Sequence, residues 1–408
     1  MKKIPSIMLR LLLLLAILLT SAKIGVVQTR AAAPNIREFV ATVEIPSAFS
    51  KWSPGDNTFG WPVNPHLEWL SSTGATSYEV CYDTSNDNAC SAWVSTGLNN
   101  WKDLVGLTPG ATYYWQVRAI NLSGTTYADG TSTAYWSFTL INAPSNVLAS
   151  DGTYSTKVEV SWVLNNGATF SKVYRATTIG GSKTLLADPA ASPYADTSAI
   201  PGRTYYYWVI NCNNAYCSDY STPNTGWMKL SAPANLLASD GTATDKVSLT
   251  WTASSGATSY KVYRATSFAG AKTLLSSPVV TTFADTSATP GVTYYYWIQA
   301  CRGVRCSVLG VYNTGWRALA APANLQASDG TYTTKVQLAW TASAGATFYK
   351  VYRATIAGVT KTLLSSPTAV SYADISATPG ITYYYWVKAC RSTRCSVFSI
   401  PNTGWRKP

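Results

Sequence analysis

The chain has 408 residues, of which 47% are hydrophobic, so it is too long for one ordinary domain and apolar enough to build several cores. Only 12% of the residues are charged, while aromatic residues reach 13%, a balance that favours an all-β extracellular protein over a cytosolic helical one. The formal net charge is +12 and there is a single histidine, which excludes a repeated histidine-based catalytic or metal site.

The first 33 residues have the pattern of a secretory signal peptide. Three basic residues precede a nine-residue apolar run, Leu11–Leu19, which is too short to span a bilayer. Small residues suit cleavage after Ala22 or after Ala33. An uncleaved membrane anchor is the alternative, and no transmembrane span is predicted once the signal is removed. Residues 34–47 show no clear period and are interpreted as a linker.

Residues 48–142 are predicted to form a first β module, here called module 1. Alternating apolar and β-branched residues indicate strands at His66–Trp69 and Ser77–Asp83. A stronger strand signal, rich in tyrosine and tryptophan, lies within Leu107–Ala119 after a Pro-Gly turn, and Tyr135–Leu140 closes the module.

Three further units follow with a spacing of 89 residues. Modules 2, 3 and 4 occupy residues 143–231, 232–320 and 321–408, and they open with APSNVLASDGT, APANLLASDGT and APANLQASDGT. Each unit contains about seven short strand signals separated by turn residues, which predicts a small β-sandwich domain and not a solenoid repeat. Because only a few residues link one unit to the next, we expect a monomeric, semi-rigid rod.

Eight cysteines form four local pairs along the chain. The pairs are Cys81 with Cys90, Cys212 with Cys217, Cys301 with Cys306, and Cys390 with Cys395. Their repetition, their even number and the signal peptide predict disulfide bonds across hairpins, each adding about 2 kcal/mol in the chain-entropy model. Zinc binding is the alternative, but the spacing does not suit it and histidine is nearly absent. We therefore expect no metal and no cofactor.

The units resemble fibronectin type III modules, and the resemblance rests on several motifs together. A tryptophan lies on the second strand of each unit, at Trp69, Trp162, Trp251 and Trp340, and Lys-Val-Tyr-Arg-Ala-Thr fits the third strand. The Pro-Gly-x-Thr-Tyr turn matches the tyrosine-corner position of such sandwiches. The resemblance implies an all-β fold of four tandem immunoglobulin-like β-sandwiches. The cysteine pairs depart from the family pattern, as does Ser171, where the other units have tyrosine.

The repeated Tyr-Tyr-Tyr-Trp strand supplies the candidate binding site. Side chains alternate between the two faces of a strand, so Tyr296 is predicted to point inward while Tyr295 and Trp297 point outward beside Tyr263 and Lys261. The candidate ligand-binding residues of the three repeats are Tyr174, Tyr206, Trp208, Tyr263, Tyr295, Trp297, Tyr352, Tyr384 and Trp386. Exposed rings can stack on sugars or anchor a protein partner; cross-strand packing within the sheet is the alternative.

Other candidate sites are weaker. The segment Asp83–Asn88 has oxygen-bearing side chains at alternate positions but lacks the glycine and glutamate of a calcium loop, which favours a hairpin tip. Asn121 begins a glycosylation sequon, and His66 beside a strand is interpreted as a surface or half-buried residue. No phosphate-binding loop or serine-nucleophile elbow occurs, and every cysteine has a predicted disulfide partner, so catalysis is not predicted.

Together these features predict a non-catalytic secreted or cell-surface protein, a spacer or adhesion protein that makes weak multivalent contacts. The alternative is a carbohydrate-binding accessory protein for extracellular polysaccharide degradation. The expected partner is an extracellular protein or a polysaccharide or cell-wall polymer, and the positive charge suits anionic polymers. Nucleic acid is not an expected partner of an exported chain.

Overall fold

The structure is a computed structural model that describes residues 43–165 and 167–408. The predicted signal peptide and both cleavage sites lie outside the described residues, as does most of the predicted linker. Residues 43–47 pack on module 1, since the Asn121 side chain donates to the Glu44 carbonyl at 2.7 Å. The regular secondary structure of the described residues is almost entirely β, and none of their helices is long and apolar enough to cross a membrane.

Module 1 is a sandwich of two sheets. Its strands are β1 (Lys51–Ser53), β2 (Thr58–Trp61), β3 (His66–Trp69), β4 (Ser77–Asp83), β5 (Val94–Gly97), β6 (Trp101–Asp103), β7 (Thr112–Asn121), β8 (Gly124–Tyr127) and β9 (Trp136–Leu140), with a 3-10 turn at Ala128–Gly130. One sheet has the order β1-β3-β6, and the other has the order β2-β9-β7-β4-β5 with β8 paired to β7. Strand β2 runs parallel to β9 and forms one edge of this sheet, and Trp61 is its last residue.

Modules 2, 3 and 4 share one simpler plan. In module 2 the strands are β10 (Ser145–Ala149), β11 (Val158–Val163), β12 (Phe170–Ala176), β13 (Thr184–Ala187), β14 (Tyr194–Asp196), β15 (Tyr205–Cys212) and β16 (Asn224–Gly226). In module 3 they are β17 (Ala234–Ala238), β18 (Val247–Thr252), β19 (Ser259–Ala265), β20 (Thr273–Ser276), β21 (Thr282–Asp285), β22 (Tyr294–Arg302), β23 (Arg305–Cys306) and β24 (Asn313–Gly315). In module 4 they are β25 (Ala323–Ala327), β26 (Val336–Thr341), β27 (Phe348–Ala354), β28 (Thr362–Ser365), β29 (Ser371–Asp374), β30 (Tyr383–Arg391), β31 (Arg394–Cys395) and β32 (Asn402–Gly404).

The strand order confirms the predicted fold. In module 3 a three-stranded sheet, β17-β18-β21, faces a second sheet built on β20-β19-β22, and both β23 and β24 pair with β22. Module 4 repeats this arrangement, and module 2 differs in that its cysteine hairpin is a single bridge, with Cys212 opposite Cys217, and not a separate strand. A three-stranded sheet packed on a larger antiparallel sheet is the immunoglobulin-like sandwich that the sequence resemblance implies.

Each module has its own core between the two sheets. In module 3 the second-strand Trp251 packs edge-to-face on Tyr260, with ring centroids 5.4 Å apart, and its indole N–H is buried without an acceptor. Module 2 has Ser171 in place of this tyrosine, and there the indole of Trp162 donates to the Ser171 hydroxyl at 2.9 Å. The departure at Ser171 therefore replaces a ring contact with a hydrogen bond to a buried donor that would otherwise be unpaired.

A buried polar network lies at one end of the core in each of the three repeats. In module 3, the Asp285 carboxylate accepts hydrogen bonds from Arg264 at 2.7 Å, from the Tyr296 hydroxyl at 2.9 Å and from Ser287 at 2.7 Å. Burial alone would raise the pKa of Asp285, but these hydrogen bonds outweigh it and hold the pKa below its usual value. Burial and the neighbouring carboxylate raise the pKa of Tyr296. Asp196 and Asp374 occupy the equivalent places in modules 2 and 4.

Candidate functional sites: outer aromatic faces and module junctions

The cysteines of each predicted pair are joined in the structure. In modules 3 and 4 the bond crosses a tight hairpin, with Cys301 directly opposite Cys306 and Cys390 directly opposite Cys395. Each hairpin closes the end of the longest strand of its module and extends beyond the sheet. The tip of the hairpin is thus held at the end of the module that meets the preceding module.

The outward face of the larger sheet carries the aromatic residues that the sequence singles out. In module 3, Tyr295 and Trp297 stack with ring centroids 6.2 Å apart and lie outside the inter-sheet core. The ammonium group of Lys272 sits 4.5 Å from the centre of the Trp297 ring. Lys183 and Lys361 cover the equivalent tryptophans at 4.7 and 4.6 Å.

This cover corrects one part of the sequence interpretation. Trp208, Trp297 and Trp386 are each only 4% exposed, so these rings are not flat open platforms. The tyrosines beside them, Tyr174, Tyr206, Tyr263, Tyr295, Tyr352 and Tyr384, are half-buried. Alternation along a strand indicates which face a side chain is on, but it does not reveal a lysine stem folded over that face. The covering lysine is Lys272 on the chain before β20, not the Lys261 that the sequence places beside the rings.

Module 3 differs from its two sister modules in having two exposed rings packed together on this face, whereas module 2 has one exposed ring there, Tyr220, which packs on Tyr174. Phe268 is 58% exposed and Tyr312 is 42% exposed, with centroids 5.2 Å apart, and Tyr312 also lies 5.4 Å from Tyr295. The equivalent positions hold Ile179 and Pro223 in module 2, and Ala357 and Pro401 in module 4. Module 3 therefore presents an aromatic cluster at the surface that the repeat pattern alone does not predict.

The junction between modules 2 and 3 is made by an arginine at the tip of a disulfide hairpin. Arg305 of module 3 donates to the Gly202 carbonyl at 3.2 Å and to the Thr204 hydroxyl at 2.6 Å, both in module 2. Its guanidinium lies 4.4 Å from the centre of the Trp227 ring of module 2. Hydrogen bonds and a cation–π contact thus fix the hairpin of one module on the turn and the last tryptophan of the module before it.

The junction between modules 3 and 4 repeats these contacts. Arg394 donates to the Gly291 carbonyl at 3.1 Å and to the Thr293 hydroxyl at 2.8 Å, and its guanidinium lies 4.1 Å from the ring centre of Trp316. We call the glycine carbonyl, the threonine hydroxyl and the tryptophan ring of the preceding module the arginine acceptor. Two independent copies of one contact set, 89 residues apart, indicate a junction that the sequence specifies.

A glycine in each following module allows the backbones to meet at the junction. Gly256 has φ +78° and faces the carbonyl of Pro201, and Gly345 has φ +81° and faces the carbonyl of Pro290. A Cβ at either position would overlap that carbonyl oxygen. The other arginine of the same hairpin, Arg302, holds this glycine within module 3, since it donates to the Gly256 carbonyl at 2.9 Å. These glycines are required both by their left-handed conformation and by the close approach.

The junction between modules 1 and 2 uses the same hairpin with different chemistry. Asn213 donates to the Gly60 carbonyl at 2.9 Å, and the Tyr216 ring packs on Trp61 with centroids 6.0 Å apart. Asn213 and Tyr216 stand where the later modules have their two hairpin arginines. The sequence interpretation missed all three junctions. The sequence signal that could have revealed them is the arginine that recurs in the hairpins of modules 3 and 4. Module 2 has Tyr216 at this position, and its preceding module presents Trp61 instead of the repeat tryptophan.

The weaker candidate sites have structural roles in this fold. The carboxylates of Asp83 and Asp87 each accept the backbone N–H two residues ahead, at 2.9 Å, which is the pattern of a polar turn. Asn121 is buried and donates to the carbonyls of Glu44 and Gly74, so its amide nitrogen is engaged in packing. His66 lies at the surface, 2.7 Å from an Asp103 carboxylate oxygen and stacked on Trp101.

Module 1 contains a buried lysine that the sequence interpretation did not single out. The Lys51 ammonium lies 2.6 Å from the Asp129 carboxylate and donates to the Gln116 side chain at 2.8 Å. Burial lowers the pKa of Lys51, and the neighbouring Asp129 offsets only part of this effect. The indoles of Trp115 and Trp136 flank it at 5.8 and 5.3 Å, so this charge belongs to the interior of the module.

No protein-family model matches the chain. The chain is 27% identical over 299 residues to receptor-type tyrosine-protein phosphatase eta of Gallus gallus, an overlap of 71% of this chain and 20% of that protein. It is 26% identical over 261 residues to endoglucanase B of Cellulomonas fimi, covering 59% and 25% of the two chains. A third match, 42% identical over 69 residues, is to 17% of this chain and 5% of the amylopullulanase of Thermoanaerobacterium saccharolyticum. The chain thus spans a quarter or less of each of these relatives.

Similar solved structures include a two-domain fibronectin type III segment of chicken tenascin. It shares 21% identity, with a TM-score of 0.36, and the match covers 42% of this chain and 97% of that one. A Fn3-like protein from Clostridium thermocellum shares 27% identity, with a TM-score of 0.21, over 22% of this chain and 95% of that one. The strand order of each module, described above, defines its fold.

Proposed function

We propose that this chain, a tandem array of fibronectin type III-fold modules, is a non-catalytic extracellular spacer that holds successive modules in fixed relative orientations. The observation that carries the proposal is the arginine contact at two successive junctions, with the same donor, the same two acceptors and the same ring in each. The cysteine bonds and the secretory pattern of the first 33 residues support an extracellular location.

The junction contacts are strong enough to restrict motion between modules. Each hydrogen bond is worth about 1 kcal/mol net, and the cation–π contact adds roughly 0.5–1 kcal/mol. A bias of about 2 kcal/mol favours the docked arrangement roughly thirty-fold over an undocked one. The acceptors are neutral carbonyl and hydroxyl oxygens, so we expect the docked arrangement to persist at high salt, unlike a surface ion pair.

Small-angle X-ray scattering of the full chain tests the spacer function. We expect the double variant Arg305→Ala with Arg394→Ala to give a larger spread of maximum dimensions than the unmodified chain. Lys261→Ala is the matched control, because it removes a positive charge from module 3 away from the junctions. A double variant that scatters like the unmodified chain and the control would contradict a spacer that depends on these contacts.

A second candidate function, accessory binding of polysaccharide, is supported by the aromatic cluster of module 3. Exposed Phe268 and Tyr312 offer ring faces for sugar stacking, and two of the relatives carry the names of polysaccharide-degrading enzymes. This site consists of the exposed rings and not of the tryptophans, which are covered and offer no open ring face. Protein partners remain the alternative use of the same cluster.

Retention on insoluble polysaccharide tests the second function. Replacing Phe268 and Tyr312 together with alanine should weaken retention about ten-fold if each ring contributes roughly 0.5–1.5 kcal/mol. Ile179→Ala, at the position of Phe268 in module 2, is the matched control and should leave retention unchanged. Equal retention of all three proteins, or no retention of the unmodified chain, would argue against this function.

A further inference from the structure

Module 4 carries the same three groups that receive an arginine in modules 2 and 3. Gly380, Thr382 and Trp405 stand 89 residues after Gly291, Thr293 and Trp316. In module 3 the glycine of this set is buried by the following hairpin. In module 4, among the residues that the structure describes, both Gly380 and Thr382 are exposed.

The acceptor of module 4 has the same local geometry as the occupied one in module 3. The Gly380 N–H donates to the Arg406 carbonyl at 3.0 Å, as the Gly291 N–H donates to the Arg317 carbonyl at 2.9 Å. The two glycines have φ values of +75° and +76°.

The tryptophan of the acceptor is held equally in both modules. The Trp405 carbonyl accepts the Gly330 N–H at 2.8 Å, and the Trp316 carbonyl accepts the Gly241 N–H at the same distance. The indoles of both residues lie over these glycines. The acceptor in module 4 is therefore formed before any arginine arrives, which lowers the ordering cost of binding.

We infer that the acceptor of module 4 binds an arginine at the tip of a disulfide-closed hairpin of a further β module, one of the same kind as modules 3 and 4. The inference rests on the junction chemistry of the proposed spacer function and extends it to one more module. The contacts that recognise the partner are those seen twice within the chain: a carbonyl and a hydroxyl that accept from the guanidinium, and a ring beneath it. The partner also needs a glycine at the position of Gly345, because a side chain there would meet the Pro379 turn.

Nearby positive charge does not prevent this binding. Arg406 follows the acceptor tryptophan, but its guanidinium donates to the carbonyls of Thr334 and Ile375 at 3.0 and 3.2 Å. Arg317 occupies the same place in module 3 and makes equivalent carbonyl contacts, while Arg394 docks beside it. The acceptor of module 3 thus receives an arginine with this neighbour present.

A cyclic peptide from the chain itself tests the inference. The probe is Ala-Cys-Arg-Ser-Thr-Arg-Cys-Ser, the sequence of residues 389–396 closed by its disulfide, titrated into the full chain labelled with 5-fluorotryptophan. Single Trp→Phe variants assign the fluorine signals of Trp405 and Trp316. We expect the Trp405 signal to move on titration, while the Trp316 signal stays in place because tethered Arg394 holds that acceptor at a much higher effective concentration. A peptide with lysine in place of its second arginine should move the Trp405 signal far less.

A variant of the exposed threonine keeps the test free of folding effects. Thr382→Val removes the hydroxyl acceptor at the surface and should weaken peptide binding roughly five-fold while the other tryptophan signals remain unchanged. An unmoved Trp405 signal, equal shifts with the arginine and lysine peptides, or unchanged affinity in Thr382→Val would each overturn the inference. If one of these results were found while scattering of the arginine variants still showed that the internal junctions restrict motion, the inference would fail and the spacer function would be retained. Loose internal junctions would instead count against the spacer function itself.

Discussion

The junction between modules 1 and 2 and the junction between modules 3 and 4 use the same hairpin with different tips. At the first, Tyr216 packs on Trp61, and at the second, Arg394 docks on Trp316. Both junctions use a disulfide-closed hairpin, which we call the docking frame. The residue at the tip of the hairpin differs, and it matches the surface of the preceding module that it contacts. Module 1 differs at one sheet edge, where its early strand β2 pairs in parallel with its last strand β9, and this brings Trp61 to the edge that meets the hairpin.

This comparison shows where specificity between modules resides. Gly167, Gly256 and Gly345 bring the backbones together at all three junctions, which makes the close approach a shared requirement. The charged tip occurs only where the preceding module ends in the repeat tryptophan, since the Pro-Gly-x-Thr turn is present in module 1 as well. Exchanging a tip residue should therefore disturb one junction and leave the others in place.

The largest expected effect comes from the shared glycine. Gly256→Ala places a Cβ against the Pro201 carbonyl in a left-handed conformation, and we expect a loss of about 3 kcal/mol in local stability. Gly106→Ala in module 1 is the matched control: it has φ +71° with open space around it, so it carries only the backbone strain of about 1 kcal/mol. Hydrogen exchange of the amides near each substituted glycine, in module 3 and in module 1, measures the difference. Equal effects of the two substitutions would show that the backbones do not meet at Gly256.

The next largest effect concerns the frame common to the two junctions. Replacing Cys390 and Cys395 together with serine should lower the stability of the module 4 hairpin by about 2 kcal/mol, because the closed loop no longer restricts the unfolded chain. The same change at Cys212 and Cys217 should have a similar effect at the first junction. Amide protection in each hairpin reports the loss. An effect at one junction alone would mean that the hairpins are not equivalent frames.

Conservative changes at the tips should separate the two junctions. Arg394→Lys keeps the charge but loses the planar donor geometry over Trp316, and we expect about 1 kcal/mol of docking to be lost, or roughly five-fold more of the undocked state. Tyr216→Phe keeps the ring contact with Trp61 and should change nothing. Limited proteolysis compares the two variants: cleavage of the linker after module 3 reports on Arg394→Lys, and cleavage of the linker after module 1 reports on Tyr216→Phe. Equal cleavage of both variants would contradict a guanidinium-specific junction.

The smallest expected effect is a difference in pH dependence between module 1 and modules 3 and 4. Asp285 and Asp374 have lowered pKa values, so their contribution to stability is present above about pH 3.8 and is lost as pH falls below it. Tyr296 and Tyr385 have raised pKa values, so their contribution is present below pH 10 and is lost as pH rises above it.

Lys51 of module 1 should show the opposite alkaline trend. Its pKa is lowered from 10.5, so module 1 gains stability as pH rises toward that value. Hydrogen exchange resolved by module between pH 3 and pH 10.5 would measure both trends. A common pH dependence for all modules would contradict the two different buried networks.

Much of the fold was predictable because its signals are local. Two-residue alternation and Pro-Gly turns fixed the strands, and Tyr296 lies in the core while Trp297 lies outside it. The exposure of Trp297 was not predictable, since Lys272 comes from a separate part of the chain and covers the ring.

The junctions were harder to predict because their partners are far apart in sequence. Arg305 and Thr204 are 101 residues apart, and they meet only because a hairpin of one module reaches a turn of the previous one. The exposed pair Phe268 and Tyr312 was hard to predict for another reason: neither residue recurs at the equivalent positions of modules 2 and 4.

The most direct test of the central claim is a distance distribution across two junctions of the full chain. Spin labels carried by noncanonical side chains at the exposed Thr177 of module 2 and Thr355 of module 4 would be measured by pulsed electron paramagnetic resonance. Our account predicts a narrow distribution in the unmodified chain and a clearly broader one when Arg305 and Arg394 are both alanine. A broad distribution in the unmodified chain, or no change in the double variant, would contradict it.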